Sequence, residues 1–282
     1  MKKNHFFAFF FLLLCVSFGH TQLDIISPEE LVSMMETNEN LVILDVSKGE
    51  NYLSSHIEGA TYLNHEDLYE NGEVEGVIKS WIDLAEIFGK HGVSKNSTVV
   101  LYDEGSQKNA SRVYWILKYI AKGDVKILHK DGALWKIDGI PMSSEVKEPP
   151  SANMSPGVMP SIYISMEEII EKLGEPDFAL VDVRTSKEFE GENEDIDPIP
   201  GAINLDYKEL LYANGAFKAP QEIAEIAKKH GLTKNKEIAF YCKEGIRACV
   251  AFVAFRNILG YPNVKVYDGS LFEWKAKQGE IK

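Results

Sequence analysis

The stretch Glu237-Ile238-Ala239-Phe240-Tyr241-Cys242-Lys243-Glu244-Gly245-Ile246-Arg247 decides the reading of this chain. It opens as an apolar run of strand length, and a helix-like segment, Ala248 to Leu259, follows the loop. A cysteine where a buried strand turns into a helix lies under converging backbone N–H groups and the positive end of the helix dipole. Those conditions favour a thiolate nucleophile. A free cysteine is also commonly a small buried apolar side chain. Gly245 within the loop and the flanking Lys243 and Arg247 favour the nucleophile. A sulfur pointing into packed side chains, with no amides facing it and no open path from solvent, would overturn that reading.

At 282 residues the chain exceeds the usual size of one domain, so two are expected. Its 45% apolar content supplies real cores, and its net charge of −13 argues against nucleic acid as a partner. An acidic chain that handles an anion must focus positive potential locally, which draws attention to Lys243 and Arg247. Residues 1–19 read as a signal peptide: Lys2 and Lys3 precede an apolar stretch, Phe6 to Phe18, too short to span a membrane comfortably. Ser17 and Gly19 supply small residues for cleavage after Gly19. Leu14 before Cys15 argues against lipid attachment, and an uncleaved anchor is the alternative. The expectation is an exported protein, periplasmic or secreted, with no stable membrane insertion once the signal is removed. Cys242 and Cys249 are then the remaining cysteines, too few for a disulfide framework. A helix would separate them by about 10 Å, too far for a bridge. Cys249 reads as core, with a resolving thiol as the alternative.

The chain also matches itself. His91-Gly92-Val93-Ser94-Lys95-Asn96 recurs as His230-Gly231-Leu232-Thr233-Lys234-Asn235, and Thr98–Asp103 lies on Glu237–Cys242. Upstream, Leu41–Val46 pairs with Phe178–Val183; downstream, Asp131–Trp135 pairs with Asp268–Phe272. Matches in one order at nearly constant offset indicate a duplication, with copies far longer than solenoid repeats. The copies are placed at 23–141 and 161–280. A Pro-, Ser- and Glu-rich stretch at 142–160 reads as a linker too polar to order itself. In the second copy, strands are expected at Phe178–Val183, Ala202–Leu205, Ile238–Tyr241 and Val264–Tyr267. Helices are expected at Ser165–Leu173, Pro220–His230 and Ile246–Leu259. Ser165 with Glu168 is a capping-box signal. Apolar strands alternating with helices predict an α/β fold, each copy a mostly parallel sheet covered on both faces. Ligands of such sheets bind at the carboxyl ends of strands, where Cys242 lies.

The pattern resembles the tandem-domain rhodanese family of sulfurtransferases over essentially the whole mature chain. Tyr52–Ala60 looks like the family's N-terminal signature, with Glu58 where proline is usual. Val264–Trp274 looks like its C-terminal signature, with Leu271 at a position usually aromatic. Asp182-Val183-Arg184 resembles the family's Asp-x-Arg, and Cys242 to Arg247 its six-residue active-site loop. The resemblance implies that the second domain is catalytic through Cys242. The first, with Asp103 at the corresponding place, is implied to be inactive, because a carboxylate cannot accept a sulfane sulfur.

The implied reaction is ping-pong: the Cys242 thiolate takes the outer sulfur of a small-molecule donor as a persulfide, then passes it to cyanide or a thiol. The loop Lys243, Glu244, Gly245, Ile246 and Arg247 is implied to bind substrate, its N–H groups cradling the persulfide. Lys243 and Arg247 would grip the donor's oxyanion end. Arg184 is a further candidate for substrate binding, with a structural ion pair as the weightier reading; Asp182 is expected to support the loop or Arg184. No cofactor is implied. The Cys-x4-Arg loop is one residue shorter than that of related phosphatases and arsenate reductases, which argues against a phosphate substrate.

The resemblance favours thiosulfate as donor, because Lys243 is charged and the segment Thr185–Phe189 lacks the arginine that mercaptopyruvate enzymes tend to carry. Glu188 there would repel an anion if it faced the site; the alternative is a solvated helix start. A 3-mercaptopyruvate sulfurtransferase and a non-turnover persulfide carrier serving an acceptor protein remain the other readings. No Cys-x2-Cys pair is present, and His56, His65, His91, His129 and His230 read as surface or helix-cap residues rather than metal ligands. Tyr114, Trp115 and Tyr119 read as core or interdomain packing, and Glu66 to Glu75 as a solvated loop.

Overall fold

The computed structural model describes residues 24–129, 139–155, 157–192 and 196–277. The signal-peptide segment and the Asp131–Trp135 half of one internal match lie outside them. The first domain runs β1 (Ile25–Ile26), α1 (Pro28–Thr37), β2 (Leu41–Asp45), α2 (Gly49–Ser54), β3 (His56–Ile57), β4 (Thr61–Tyr62), α3 (Trp81–Lys90), β5 (Thr98–Tyr102), α4 (Lys108–Tyr119), β6 (Val125–Leu128) and β7 (Met142–Ser143). The second runs α5 (Met166–Lys172), β8 (Phe178–Asp182), α6 (Ser186–Phe189), β9 (Ile203–Asn204), α7 (Pro220–Lys229), β10 (Glu237–Tyr241), α8 (Ile246–Phe252), β11 (Val264–Val266) and α9 (Ser270–Lys277). Each contains an all-parallel sheet, in the order β1-β6-β5-β2-β4 and β11-β10-β8-β9. The expected α/β class and the duplication are both present. The expected helix over 246–259 is α8 followed by a π-helical turn, Val253–Ile258.

Side-chain alternation along the strands builds three cores. Val99 and Leu101 of β5 and Ile238 and Phe240 of β10 enter one cluster to which both domains contribute. Val100 and Tyr102 pack on the outer face of the first sheet, and Ala239 and Tyr241 on that of the second. Helices α4 and α8, each following a central strand, pack against each other between the sheets. Tyr114 and Trp115 are buried there, and the Trp115 indole N–H donates to the Ile162 carbonyl at 3.2 Å. The inner faces of the two sheets therefore form one continuous apolar interior.

The linker departs from expectation. Its composition predicts a chain without order, yet Ala152 donates to the Gly89 carbonyl at 2.8 Å, Met159 to the Tyr119 carbonyl at 2.7 Å, and Met154 is buried. Apolar residues spaced along it find a groove on the first domain, which composition alone does not reveal. His56 departs too: it is buried in β3, with Nδ1 2.7 Å from the Tyr52 carbonyl and its ring stacked on Tyr52. His91 and His230 do cap α3 and α7.

Candidate active site

Alternation along β10 continues into the loop and turns Cys242 inward, toward the core shared by the domains. Asp103 follows β5 in the same phase. Strand register sets Tyr241 beside Asp182, so Cys242 and the Asp182–Arg184 segment meet at one carboxyl edge of the sheet. The loop is tied down by the first turn of α9. The Cys242 N–H donates to Ser270 Oγ at 3.2 Å, and Leu271 and Phe272 N–H donate to the Cys242 and Lys243 carbonyls at 3.2 and 3.1 Å. Gly245 adopts φ +81°, and a Cβ there would stand 2.5 Å from the Asp268 carbonyl oxygen. Only glycine fits that position.

The first copy shows what such a loop does for an anion. Asp103 Oδ1 accepts N–H groups of Gly105 at 2.7 Å and Gln107 at 3.2 Å, and Oδ2 accepts that of Ala110 and the Ser106 hydroxyl, both at 3.3 Å. The carboxylate at the strand end is held by its own loop. The second loop is tighter by one residue: Lys108 opens α4 five positions after Asp103, whereas Ile246 opens α8 four positions after Cys242. The sequences, aligned at the strands, hide this difference.

The loop residues are distributed unevenly around the sulfur. Arg247 pairs with Glu188, its Nη1 2.9 Å from Glu188 Oε2, and its charge also acts on Cys242. Burial works against the arginine's charge, but Glu188 and Cys242 outweigh it and raise its pKa. Glu188 is the third residue of α6, where it accepts the Thr185 N–H at 3.0 Å and hydroxyl at 2.7 Å. Burial pushes its carboxyl up, yet the Arg247 and Thr185 donors prevail and hold it at about 2. Glu188 thus faces the site and is not a solvated helix start. Lys243 is half-buried with Nζ 5.6 Å from the Phe272 ring centroid. Gly245 is buried, while Glu244 and Ile246 are half-buried, and the Glu244 backbone packs on Gly76 of the first domain.

Two expectations need correction. Arg184 is fully buried, its Nε and Nη2 on the Asp182 carboxylate at 2.8–3.1 Å and its Nη1 on the Ile196 carbonyl at 3.2 Å. A guanidinium committed to those acceptors supports the edge of the sheet and has no face turned to a substrate; Asp182 does the supporting work expected of it. Cys242, in turn, is 0% exposed, so the expected open path to its sulfur is absent in this conformation. The Arg247 and Glu188 side chains keep 19% and 14% exposure.

Cys249 is buried as well. Its Sγ lies 3.4 Å from the Gly245 carbonyl oxygen, and burial pushes its thiol up to about 12. A thiol kept protonated inside a helix contact suits core packing, not resolution of a persulfide.

Several contributors escape sequence reading. Tyr207 is buried beside the pair; burial raises its phenol, and Arg247, Glu188 and Cys242 all act on it. It also lines an interdomain cleft of about 410 Å³ with Glu104, Gly105, Ser106, Lys208 and Tyr212. Beneath the loop, Arg112 of α4 donates to Asp268 Oδ1 at 2.6 Å and to the Gly76 carbonyl at 2.7 Å, stacked near Tyr69 and Trp115. The 66–75 segment carries exposed acidic side chains as expected, but its end docks on the second domain through Gly76 and Ile78, whose N–H donates to Asp268 Oδ2 at 3.0 Å. Among the described residues, no group of three or more His, Cys, Asp or Glu side chains is placed to hold a metal ion.

Fold and loop together define a duplicated α/β protein with a strand-end cysteine in its second copy alone. Comparison with known proteins identifies that class. The rhodanese-like domain family matches residues 27–138 and 165–277. The sulfur carrier protein TtuD of Thermus thermophilus is 30% identical, over 86% of this chain and 87% of its own. The thiosulfate sulfurtransferase of Bos taurus is 29% identical, over 79% and 78%. The 3-mercaptopyruvate sulfurtransferase structure of SseA from Escherichia coli shares the fold, with a TM-score of 0.81 at 24% identity over 88% of this chain and 98% of that one. The chain belongs to the tandem-domain rhodanese family of sulfurtransferases.

Proposed function

We propose that this sulfurtransferase carries the outer sulfur of thiosulfate to cyanide or a thiol through a persulfide on Cys242. One observation carries the reading: a cysteine directly follows the central strand β10 of the second sheet, in a loop that ends at Arg247, while the matching first-domain position holds a carboxylate cradled by loop N–H groups. A thiolate electron pair forms a bond to the outer sulfur, the S–S bond of thiosulfate breaks, and sulfite departs with the electron pair of the broken bond. Cyanide or a thiolate then attacks the terminal persulfide sulfur and returns Cys242 to thiolate. Arg247 offsets negative charge at the reacting sulfur in both steps. Asp103 gives the first domain no sulfur chemistry; its role is to wall the cleft through residues 104–106 and to hold the loop through Gly76.

The complete burial of Cys242 favours a second reading, a persulfide carrier that releases its sulfur only to a docked acceptor protein. Steady-state assays of wild type and Cys242→Ser with thiosulfate plus cyanide, then with 3-mercaptopyruvate, separate the readings. Thiosulfate-dependent thiocyanate formation that vanishes in the variant supports the enzyme. Preference for mercaptopyruvate reassigns the donor, and a stable persulfide with little turnover supports the carrier. We further propose export by the N-terminal segment: secreted or periplasmic protein should begin near His20, and an intact Met1 would contradict it.

A further inference from the structure

Resting on that reading, we propose that Glu188 is a specificity-determining residue, an internal carboxylate that occupies the anion seat of Arg247 and must be displaced by the donor's oxyanion. The geometry that points to this is the ion pair of the loop arginine: Glu188 Oε2 lies 2.9 Å from Arg247 Nη1, on a guanidinium that ends the Cys242 loop and whose charge acts on Cys242. The Cys242 sulfur is wholly buried, and the Arg247 and Glu188 side chains are partly exposed. An anionic donor that brings its outer sulfur to Cys242 therefore meets Arg247 already neutralised. Arg184, the other guanidinium at this edge, is buried on Asp182 and the Ile196 carbonyl. Donor binding is thus an exchange of one anion for another on a single guanidinium.

Glu188 is well suited to yield. When Arg247 leaves, its carboxylate keeps the Thr185 N–H and hydroxyl as donors, so the released anion is not stranded. The exchange also has a sign. A dianionic donor that approaches before displacing Glu188 faces one more negative charge than it would without that carboxylate, and like charges at close range are costly. Glu188 consequently weakens small dianions more than monoanions of similar shape.

The test uses Glu188→Gln, which retains an oxygen for Thr185 while removing the charge. Sulfite release from the first half-reaction should saturate at a thiosulfate concentration about tenfold lower than in wild type, with the maximal rate changed far less. A monoanionic alkylthiosulfonate donor should gain less than thiosulfate does. Arg247→Gln should raise the half-saturating concentration of both donors. Binding without chemistry is read by titrating thiosulfate into Cys242→Ser and Cys242→Ser/Glu188→Gln protein. Tighter binding in the double variant supports the exchange even if wild type fails to turn over, in which case the assigned activity alone is wrong. Unchanged or weaker binding, equal gains for both donor charges, or no binding by either protein overturns the inference.

Discussion

The chemistry narrows to Cys242, Arg247 and Glu188, and the charge on the last is sensitive to acid. With its carboxyl held at about 2 against an ordinary 4.5, Glu188 contributes stability that is full above 4.5 and is lost as pH falls through about 2. The stability advantage of wild type over Glu188→Gln should therefore shrink across that acidic window and stay flat from pH 5 to 8. Denaturant titrations at a series of pH values measure it; a difference that varies near neutrality would show that the pair is not formed as described. Cys242 was legible because a strand, a turn and two cations bracket it in sequence. The Glu188–Arg247 contact was not, because the two residues are 59 positions apart and only the parallel register of β8 with β10 brings them to one edge.

The decisive element is the β10–α8 unit, whose turn depends on Gly245. Gly245→Ala meets both the left-handed backbone penalty, about 1–2 kcal/mol, and the approach of the Asp268 carbonyl. Gly59→Ala, at φ +79° with open space around it, carries the backbone penalty alone. Urea unfolding should find Gly245→Ala the more destabilising of the two, with sulfur transfer lost in that variant and kept in the other. Equal effects would mean that the loop is not pinned from below. The strands and most helices here were readable from apolar runs and capping residues, since local chemistry determines them. The π-helical turn at Val253–Ile258 and the extra residue in the Asp103 loop were not, because both preserve the apolar pattern while changing the path of the backbone.

At the scale of the whole molecule, the two copies are joined under the active-site loop by the Arg112–Asp268 pair, buried at 0% and 2% exposure. Arg112→Ala leaves the Asp268 carboxylate buried without its partner, a change that costs about 3–5 kcal/mol. A thermal or denaturant midpoint should fall accordingly, and turnover with it, since Asp268 supports Gly245 and Ile78. A loss below about 1 kcal/mol would show the domains to be held chiefly by their shared apolar core. The duplication was plain in the sequence; the way its copies dock was not, because no local signal pairs an arginine on one helix with an aspartate in the other domain. The central claim is that the Cys242 sulfur accepts and holds a sulfur atom. Its most direct test is mass spectrometry of the Cys242 peptide from thiosulfate-treated protein, under non-reducing conditions. The account predicts one added sulfur on Cys242, removed by cyanide and absent from Cys249; an unmodified Cys242, or sulfur found on Cys249 instead, would contradict it.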